Sequence, residues 1–289
     1  MNILPAHRQH SRHWENFQYA YPVLSRRSHG ISIGLNVNPD KVCNFDCIYC
    51  QVDRTVPATV LKFDLAAAER ELRALLATDF SQHAPFDTVP KAQLRINDIA
   101  LSGDAEPTTL PEFSKAMEMI ARVKPPGVKI VLITDAGGLD RVDVKRGLEI
   151  MDAHDGEVWA KLDAGTEEYF QLINRTKIPF ARILKNITLT AQTRPVIIQS
   201  LFLKIHGVGP TDEEISAYCE RLRAIGRIKL VQVYTVARNA MTIVEGIPAS
   251  QFVTPLADGE LDAIADRVRQ TTGFPVESFY GAPALPSSK

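Results

Sequence analysis

The sequence predicts an α/β protein whose parallel strands curl into a partial (β/α)6 barrel. Three observations carry that expectation. Short β-rich runs alternate with amphipathic helical stretches six times along the chain, the pattern of β/α units sharing one parallel sheet. A chain of 289 residues, 45% hydrophobic and 23% charged, is long enough for one large barrel domain. In the first run Ile31, Ile33, Leu35 and Val37 form one face and Ser32, Gly34, Asn36 and Asn38 the other. One face is apolar enough to hold helices, and the other is small and polar enough to line an interior that holds a ligand.

Residues 1–30 read as an N-terminal basic arm. Arg8, Arg12, Arg26 and Arg27, with His7, His10, His13 and His29, face only Glu15 as an acidic neighbour. That suits either a solvated segment or one that receives substrate. The start of the chain has no apolar stretch of the kind an export signal needs, so a cytoplasmic location is expected. No run of about 18 apolar residues occurs, so no membrane crossing is expected.

The barrel domain is expected over 31–280, with strands at 31–38, 98–102, 129–135, 157–163, 196–203 and 230–236. Leu65, Ala68, Leu72, Leu75 and Leu76 share one face of the first helix, and Leu110, Phe113, Met117 and Ile120 one face of the second. Ile215, Tyr218, Cys219, Leu222 and Ile225 do the same in a later one, which makes Cys219 a small buried hydrophobe. Thr109-x-x-Glu112 and Thr211-x-x-Glu214 read as capping boxes. Pro85 and Pro90 mark 81–97 as a loop, and the Pro- and Ser-containing tail 281–289 is expected to fray.

The chemistry sits after the first strand, in Cys43-Asn44-Phe45-Asp46-Cys47-Ile48-Tyr49-Cys50. A C-x3-C-x2-C loop can hold an iron-sulfur cubane by three corners, leaving one iron free to take a small molecule. Zinc would want a fourth ligand, normally from a second Cys pair or a His pair; the nearest upstream histidine is His29 and no second pair exists. A disulfide framework is disfavoured because the only other cysteine is Cys219.

This spacing, with Tyr49 just before the last cysteine, resembles the signature of the radical S-adenosylmethionine (radical SAM) superfamily. The resemblance implies a [4Fe-4S] cluster on Cys43, Cys47 and Cys50, with S-adenosylmethionine (SAM) on the open iron. Reductive cleavage would then give a 5'-deoxyadenosyl radical. Ser102-Gly103-Asp104-Ala105-Glu106-Pro107-Thr108 resembles the superfamily's Gly-Gly-Glu stretch, although Asp104-Ala105 stands where relatives often have glycines. There Gly103 would let the backbone approach and Glu106 would accept from the cofactor's ammonium. The run 25–54, with Lys161-Leu162-Asp163-Ala164-Gly165-Thr166, is similar to bacterial relatives of the tRNA wyosine synthase. That enzyme carries a second cluster on additional cysteines, whereas only Cys219 remains here.

Other polar residues interrupt apolar strands. Lys161 and Asp163 lie two apart on one strand face, either as a structural ion pair or with Asp163 on ribose hydroxyls and Lys161 on a carboxylate. Thr134 and Asp135, Gln199 and Ser200, and Gln232 and Tyr234 are further groups, each a site residue or a satisfied core polar residue. The expected cofactor-binding set is Tyr49, Ser102, Gly103, Glu106, Thr134, Lys161, Asp163, Gln199, Ser200 and Tyr234. Arg26, Arg27, Asn36, Asn38 and Arg238 are the candidate substrate contacts. The expected partners are SAM, an unidentified substrate that is a small molecule or an RNA base, and an external one-electron reductant such as flavodoxin or ferredoxin. A net charge of −1 disfavours nucleic acid without excluding a local patch. Two readings from other classes stand beside the enzyme: a noncatalytic iron-sulfur electron carrier, and a zinc-bearing nucleic-acid binder.

Overall fold

The computed structural model describes Ala6, Arg12 and residues 14–281. The chain opens with a hairpin, β1 (Ala20–Ser25) and β2 (Gly30–Leu35), and after the cysteine loop forms helix α1 (Leu65–Leu76). Then come β3 (Ile96–Leu101), α2 (Phe113–Val123), β4 (Lys129–Thr134), α3 (Val142–Asp152) and β5 (Gly156–Lys161). Helices α4 (Glu167–Asn174) and α5 (Phe180–Thr193) precede β6 (Val196–Leu201), β7 (Leu203–Ile205), α6 (Asp212–Ile225) and β8 (Ile228–Tyr234). The chain ends with a short β9–β10 hairpin (Ile243–Val244, Ile247–Pro248), β11 (Val253–Pro255), α7 (Asp258–Thr272) and β12 (Val276–Phe279).

The main sheet has eight strands in the order β1-β2-β3-β4-β5-β6-β8-β12. All neighbours are parallel except the β1–β2 hairpin, and the sheet curls into a partial barrel. The six strands read from the sequence are all present. Two more were not legible. β1 carries Pro22, which a strand tolerates at a sheet edge, where its missing N–H breaks no ladder. β12 is only four residues long, Val-Glu-Ser-Phe, too short to show a period. The sheet therefore begins inside the segment assigned to a basic arm, and Ala20–Leu24 are buried in it. Arg8, His7, His10 and His13, and the tail beyond Gly281, lie outside the described residues.

Strand parity separates two apolar clusters. Ile31, Ile33 and Leu35 join Ala68, Leu72 and Leu75 of α1 and Phe113, Met117 and Ile120 of α2 in the large outer core. Ala100, Val131, Trp159 and Ile197 form a small cluster on the opposite, inner face. Gly34 stands opposite Tyr21 in the hairpin register, and a Cβ there would lie 2.3 Å from the Tyr21 ring. The glycine thus lets that ring cross the inner face, where its hydroxyl meets Ser102 Oγ at 3.3 Å. Glu157 takes hydrogen bonds from Lys129 and Lys229, both at 2.7 Å, and from Trp159 Nε1 at 3.1 Å.

The capping expectations divide. α2 starts at Phe113, beyond a 3-10 turn over Pro107–Thr109, so Thr109 does not cap it. Asp143 of α3 does that work, accepting from Ser114 N at 3.0 Å and Ser114 Oγ at 2.6 Å. Thr211 caps α6 by accepting from Glu214 N at 3.2 Å. The Glu214 carboxylate does not return the bond. It accepts instead from Gly165 N, Thr166 N and Thr166 Oγ1, tying the loop after β5 to α6.

Candidate active site

The cysteine loop leaves β2 through Lys41, whose φ of 61° turns the chain in the left-handed region. Lys41 Nζ then donates to Asp53 O at 3.0 Å and Val56 O at 2.9 Å, closing the loop on itself. Carbonyls in the last turn of a helix lack intrahelical partners. Those of α4 take theirs from this loop: Asp46 N donates to Asn174 O at 3.1 Å and Ile48 N to Ile173 O at 2.9 Å. Thr176 Oγ1 holds Asn44 O at 2.8 Å, Thr242 Oγ1 holds Cys47 O at 2.9 Å, and Met241 N donates to Cys50 O at 2.7 Å. Two distant segments, 173–176 and 241–242, therefore hold the loop that carries the thiols.

All three thiols line one cavity of about 370 Å³ inside the barrel, a size typical of small-molecule sites. Arg54 Nη1 donates to Cys50 Sγ at 3.0 Å and Asn174 Nδ2 to Cys47 Sγ at 3.4 Å. Burial pushes the Cys43 and Cys47 thiols up to about 12, so both are protonated in the metal-free protein. Among the described residues no three Cys, His, Asp or Glu side chains converge on a single metal ion. Cys219 is buried on α6 within the outer core, off the cavity wall.

Opposite Cys43 stand two carboxylates. Glu106 is saturated: Oε1 accepts from Thr108 N at 3.0 Å and from Thr108 Oγ1 and Thr134 Oγ1, both at 2.6 Å, while Oε2 accepts from Asp135 N at 2.7 Å. Asp135 differs. Its Oδ1 accepts from Gly137 N at 2.8 Å, but its Oδ2 is buried and meets no donor among the described residues. Burial, with the Glu106 charge beside it, pushes the Asp135 carboxyl well up; burial also raises Glu106. Asp135 was not in the expected cofactor-binding set. Its signal was position alone, next to Thr134 at a strand end.

Asp163, expected on ribose hydroxyls, is not on the cavity wall. Four donors fill it: Leu201 N at 2.8 Å, Lys161 Nζ at 3.3 Å, Asn174 Nδ2 at 3.2 Å and the Tyr49 hydroxyl. It is a hub that orients Tyr49 and Lys161, the structural alternative of the two. Lys161 does reach the wall, where it donates to Tyr234 OH at 2.5 Å and lies 5.0 Å from the Tyr49 ring centre. Burial alone would lower its ammonium, but Asp163 and Tyr234 outweigh that and raise it, so Lys161 stays charged.

The other expected residues divide in the same way. Tyr49, Ser102, Gly103, Thr134, Gln199, Tyr234, Arg26, Arg27 and Arg238 are on the wall. Ser200 points the other way, to Tyr218 OH at 2.5 Å. Asn36 and Asn38 brace the 102–109 loop instead of facing the cavity, donating to Asp104 Oδ2 at 2.8 Å and Thr109 Oγ1 at 2.9 Å. Gly103 is required there, since a Cβ would lie 2.5 Å from Asn36 Oδ1. Arg54 was missed as a site residue although it closes the Gln51-Val52-Asp53-Arg54 run of the resemblance; its Nη2 also donates to Asp104 O at 3.3 Å.

Residues 37–222, from the end of β2 into α6, match the Radical SAM superfamily. The chain belongs to that superfamily. Radical SAM proteins in general use a [4Fe-4S] cluster and SAM, and the donor set fits: three thiols on one wall, and a donorless buried carboxylate oxygen on the cavity side where an ammonium would be received. A UPF0026 protein of Methanocaldococcus jannaschii is 31% identical over 159 residues, 53% of this chain and 43% of that protein. The chain thus matches less than half the length of that relative. Among solved structures, a radical SAM methyltransferase from Sphaerobacter thermophilus aligns with a TM-score of 0.60 at 13% identity, over 90% of this chain and 69% of that one. TYW1 with a lysine-pyruvate adduct bound aligns with a TM-score of 0.57 at 13% identity, over 84% and 74%. At that identity the likeness is one of fold.

Proposed function

We propose that this protein is a radical SAM enzyme holding one [4Fe-4S] cluster on Cys43, Cys47 and Cys50. The observation that carries the reading is the pairing, within one cavity, of three thiols with a buried Asp135 oxygen that lacks a donor. When bound, the cluster and SAM would supply one-electron reductive cleavage of the sulfonium, with the electron from an external donor, and so hydrogen-abstraction chemistry toward the substrate.

The chain's own residues then have defined tasks. Asp135, with Glu106 held rigid beside it, receives the SAM ammonium, because a cation relieves both the missing donor and the carboxylate repulsion. Lys161 offers a permanent positive charge to a carboxylate of cofactor or substrate. Arg54 and Asn174 draw charge from two sulfurs and so tune the cluster. Ile133, Trp159 and Leu201 give the cavity an apolar wall that keeps water from a reactive intermediate. The substrate is a small molecule in preference to an RNA base, since the net charge of −1 offers no broad basic track. A cytoplasmic setting and an external one-electron donor such as flavodoxin or ferredoxin complete the reading. Among the described residues no helix is long and apolar enough to cross a membrane.

The test is anaerobic reconstitution followed by incubation with SAM and dithionite, read as 5'-deoxyadenosine. Formation supports the reading. A brown, four-iron protein that never forms it would be an electron carrier, and a colourless zinc protein would remove the cluster altogether.

A further inference from the structure

The two edges of the half-barrel, β1 and β12, leave a lateral opening, and the turn between β1 and β2 spans it. Arg26 Nη1 donates across to Tyr280 O at 2.8 Å. Arg27 lays its guanidinium over the Tyr234 ring at 4.4 Å and within 5.3 Å of the Phe279 ring centre. Arg238, on the segment leaving β8, and Arg12 complete a group of four arginines on the same cavity wall. One carboxylate answers them: Arg12 Nη1 pairs with Asp104 Oδ1 at 2.7 Å. Glu106 and Asp135 also line the cavity but are committed at the cysteine side, and the remaining wall acid, Asp98, is bonded to Ser32.

Two independent features mark this rim as incomplete. Arg27 Nε is buried and has no acceptor among the described residues. Arg238 has no hydrogen-bond or ion-pair partner among them either, and its strongest electrostatic neighbours are Arg12, Arg27 and Arg26. Partial desolvation and those like charges together lower it to about 10, and Arg238 is itself exposed, open to an anion that arrives from solvent. Arg27 is held flat by the two rings, so the N–H edge of its planar fork is preset for an oxyanion.

We propose that Arg27 and Arg238, flanked by Arg12 and Arg26, form a receptor for a phosphate or carboxylate group of a small-molecule substrate. The inference rests on the radical SAM reading only for the word substrate; the anion site itself stands on the arginines. The receptor's contacts run to Tyr280, Tyr234 and Phe279 at the β12 edge, whereas Glu106 and Asp135 are bonded to Thr108, Thr134 and Gly137. The receptor would therefore hold the far end of a substrate whose other end reaches into the barrel. Four clustered arginines around one enclosed opening suit a compact anion better than a nucleic-acid backbone, which needs phosphate contacts repeated along a track.

The test is calorimetric titration of the reconstituted protein with inorganic phosphate, and separately with succinate, at fixed ionic strength, with and without saturating SAM. At least one probe should bind with SAM already present, and Arg238→Gln should weaken it about tenfold or more. Arg27→Lys, which keeps the charge but loses the fork and the stacking, should also weaken it. Arg122→Gln, on an exposed helix face paired with Glu69, should change nothing. Three results would each overturn the proposal: binding of neither probe, unchanged affinity in Arg238→Gln, or displacement of the anion by SAM, which would give the arginines to the cofactor's own carboxylate. Tight tRNA binding that falls steeply with salt, in place of phosphate or succinate binding, would also overturn it. Phosphate binding with no 5'-deoxyadenosine formed would sink the radical reading and leave the receptor standing.

Discussion

Asp135→Asn should make the cofactor-free protein more stable and SAM binding weaker, two effects of opposite sign from one substitution. In the free protein the Asp135 carboxyl is raised well above its ordinary value by burial and by the Glu106 charge, and its Oδ2 has no donor. A carboxyl whose folded pKa lies above its unfolded one contributes stability that is complete below the unfolded value and is lost as pH rises through the folded one. The penalty carried by the wild type therefore grows as pH rises from the acid range. Asparagine retains an oxygen for Gly137 N and offers an amide to Glu106 in place of a competing acceptor. Relief of an unsatisfied buried polar group is worth about 1–3 kcal/mol. For a chain of this size each kcal/mol moves Tm by about 2–4 °C. The gain should be larger at pH 7.5 than at pH 4.5, because the raised carboxyl is more fully protonated at the lower pH. With the carboxylate gone, the SAM ammonium loses a charge-assisted hydrogen bond, about 1.5–3 kcal/mol or roughly ten- to 150-fold in Kd. Thermal melts of the apoprotein at the two pH values and calorimetric SAM titration of the reconstituted protein read both halves. A variant that melts lower at pH 7.5 and binds SAM as tightly as the wild type would refute the reasoning.

Cys43→Ala, Cys47→Ala and Cys50→Ala should each abolish the cluster, while Cys219→Ala keeps about four irons per chain; iron and sulfide analysis after reconstitution decides it, and loss of iron in the Cys219 variant would show the ligand set to be wrong. Arg54→Gln removes the donor at Cys50 Sγ and should lower the cluster's reduction potential while sparing iron content, as followed by an EPR-monitored redox titration. Asp163→Ala leaves the Lys161 ammonium without its counter-charge, though still bonded to Tyr234 OH, and the Tyr49 hydroxyl without its carboxylate acceptor, and should cost about 3–5 kcal/mol of stability in denaturant melts; a fully stable variant defective only in SAM binding would return Asp163 to the ribose.

The positions at which sequence and structure part have a common cause. Alternation along a strand predicts a face only while the strand lasts. β5 ends at Lys161, so Lys161 reaches the wall as expected, and Asp163, two residues past the last paired position, turns into the protein toward Leu201 and Asn174. β2 ends at Leu35, and Asn36 and Asn38 likewise leave the inner face that Ser32 and Gly34 keep. Gln199 and Ser200 are adjacent within β6, so only one could face inward, and Gln199 does. The cysteine loop was legible because its information is local spacing. What fixes the loop was not, because Ile173, Asn174, Met241 and Thr242 are brought to it only by the folded barrel.

Satisfaction separates the roles of the buried polar groups better than residue type or strand position does. Glu106, Thr134 and Asp163 were all candidates for direct cofactor contact, and each is already met by protein donors or acceptors. Among the described residues that line the cavity, the buried polar atoms left wanting are Asp135 Oδ2 on the cysteine side and Arg27 Nε beside the other arginines. They are opposite in sign and lie on different parts of one cavity wall. A buried group without a partner costs stability in the free protein, so a cavity whose wall keeps two of opposite sign is preset for ligand groups of matching charge. A cationic amine is called for beside the cysteines and an oxyanion at the opening. On the proposed reading SAM would supply the amine and Lys161 would meet its carboxylate, which leaves the arginines for a second molecule. Two unsatisfied groups of opposite charge on one wall are thus what the proposed pairing of a cationic cofactor amine with an anionic substrate group would need.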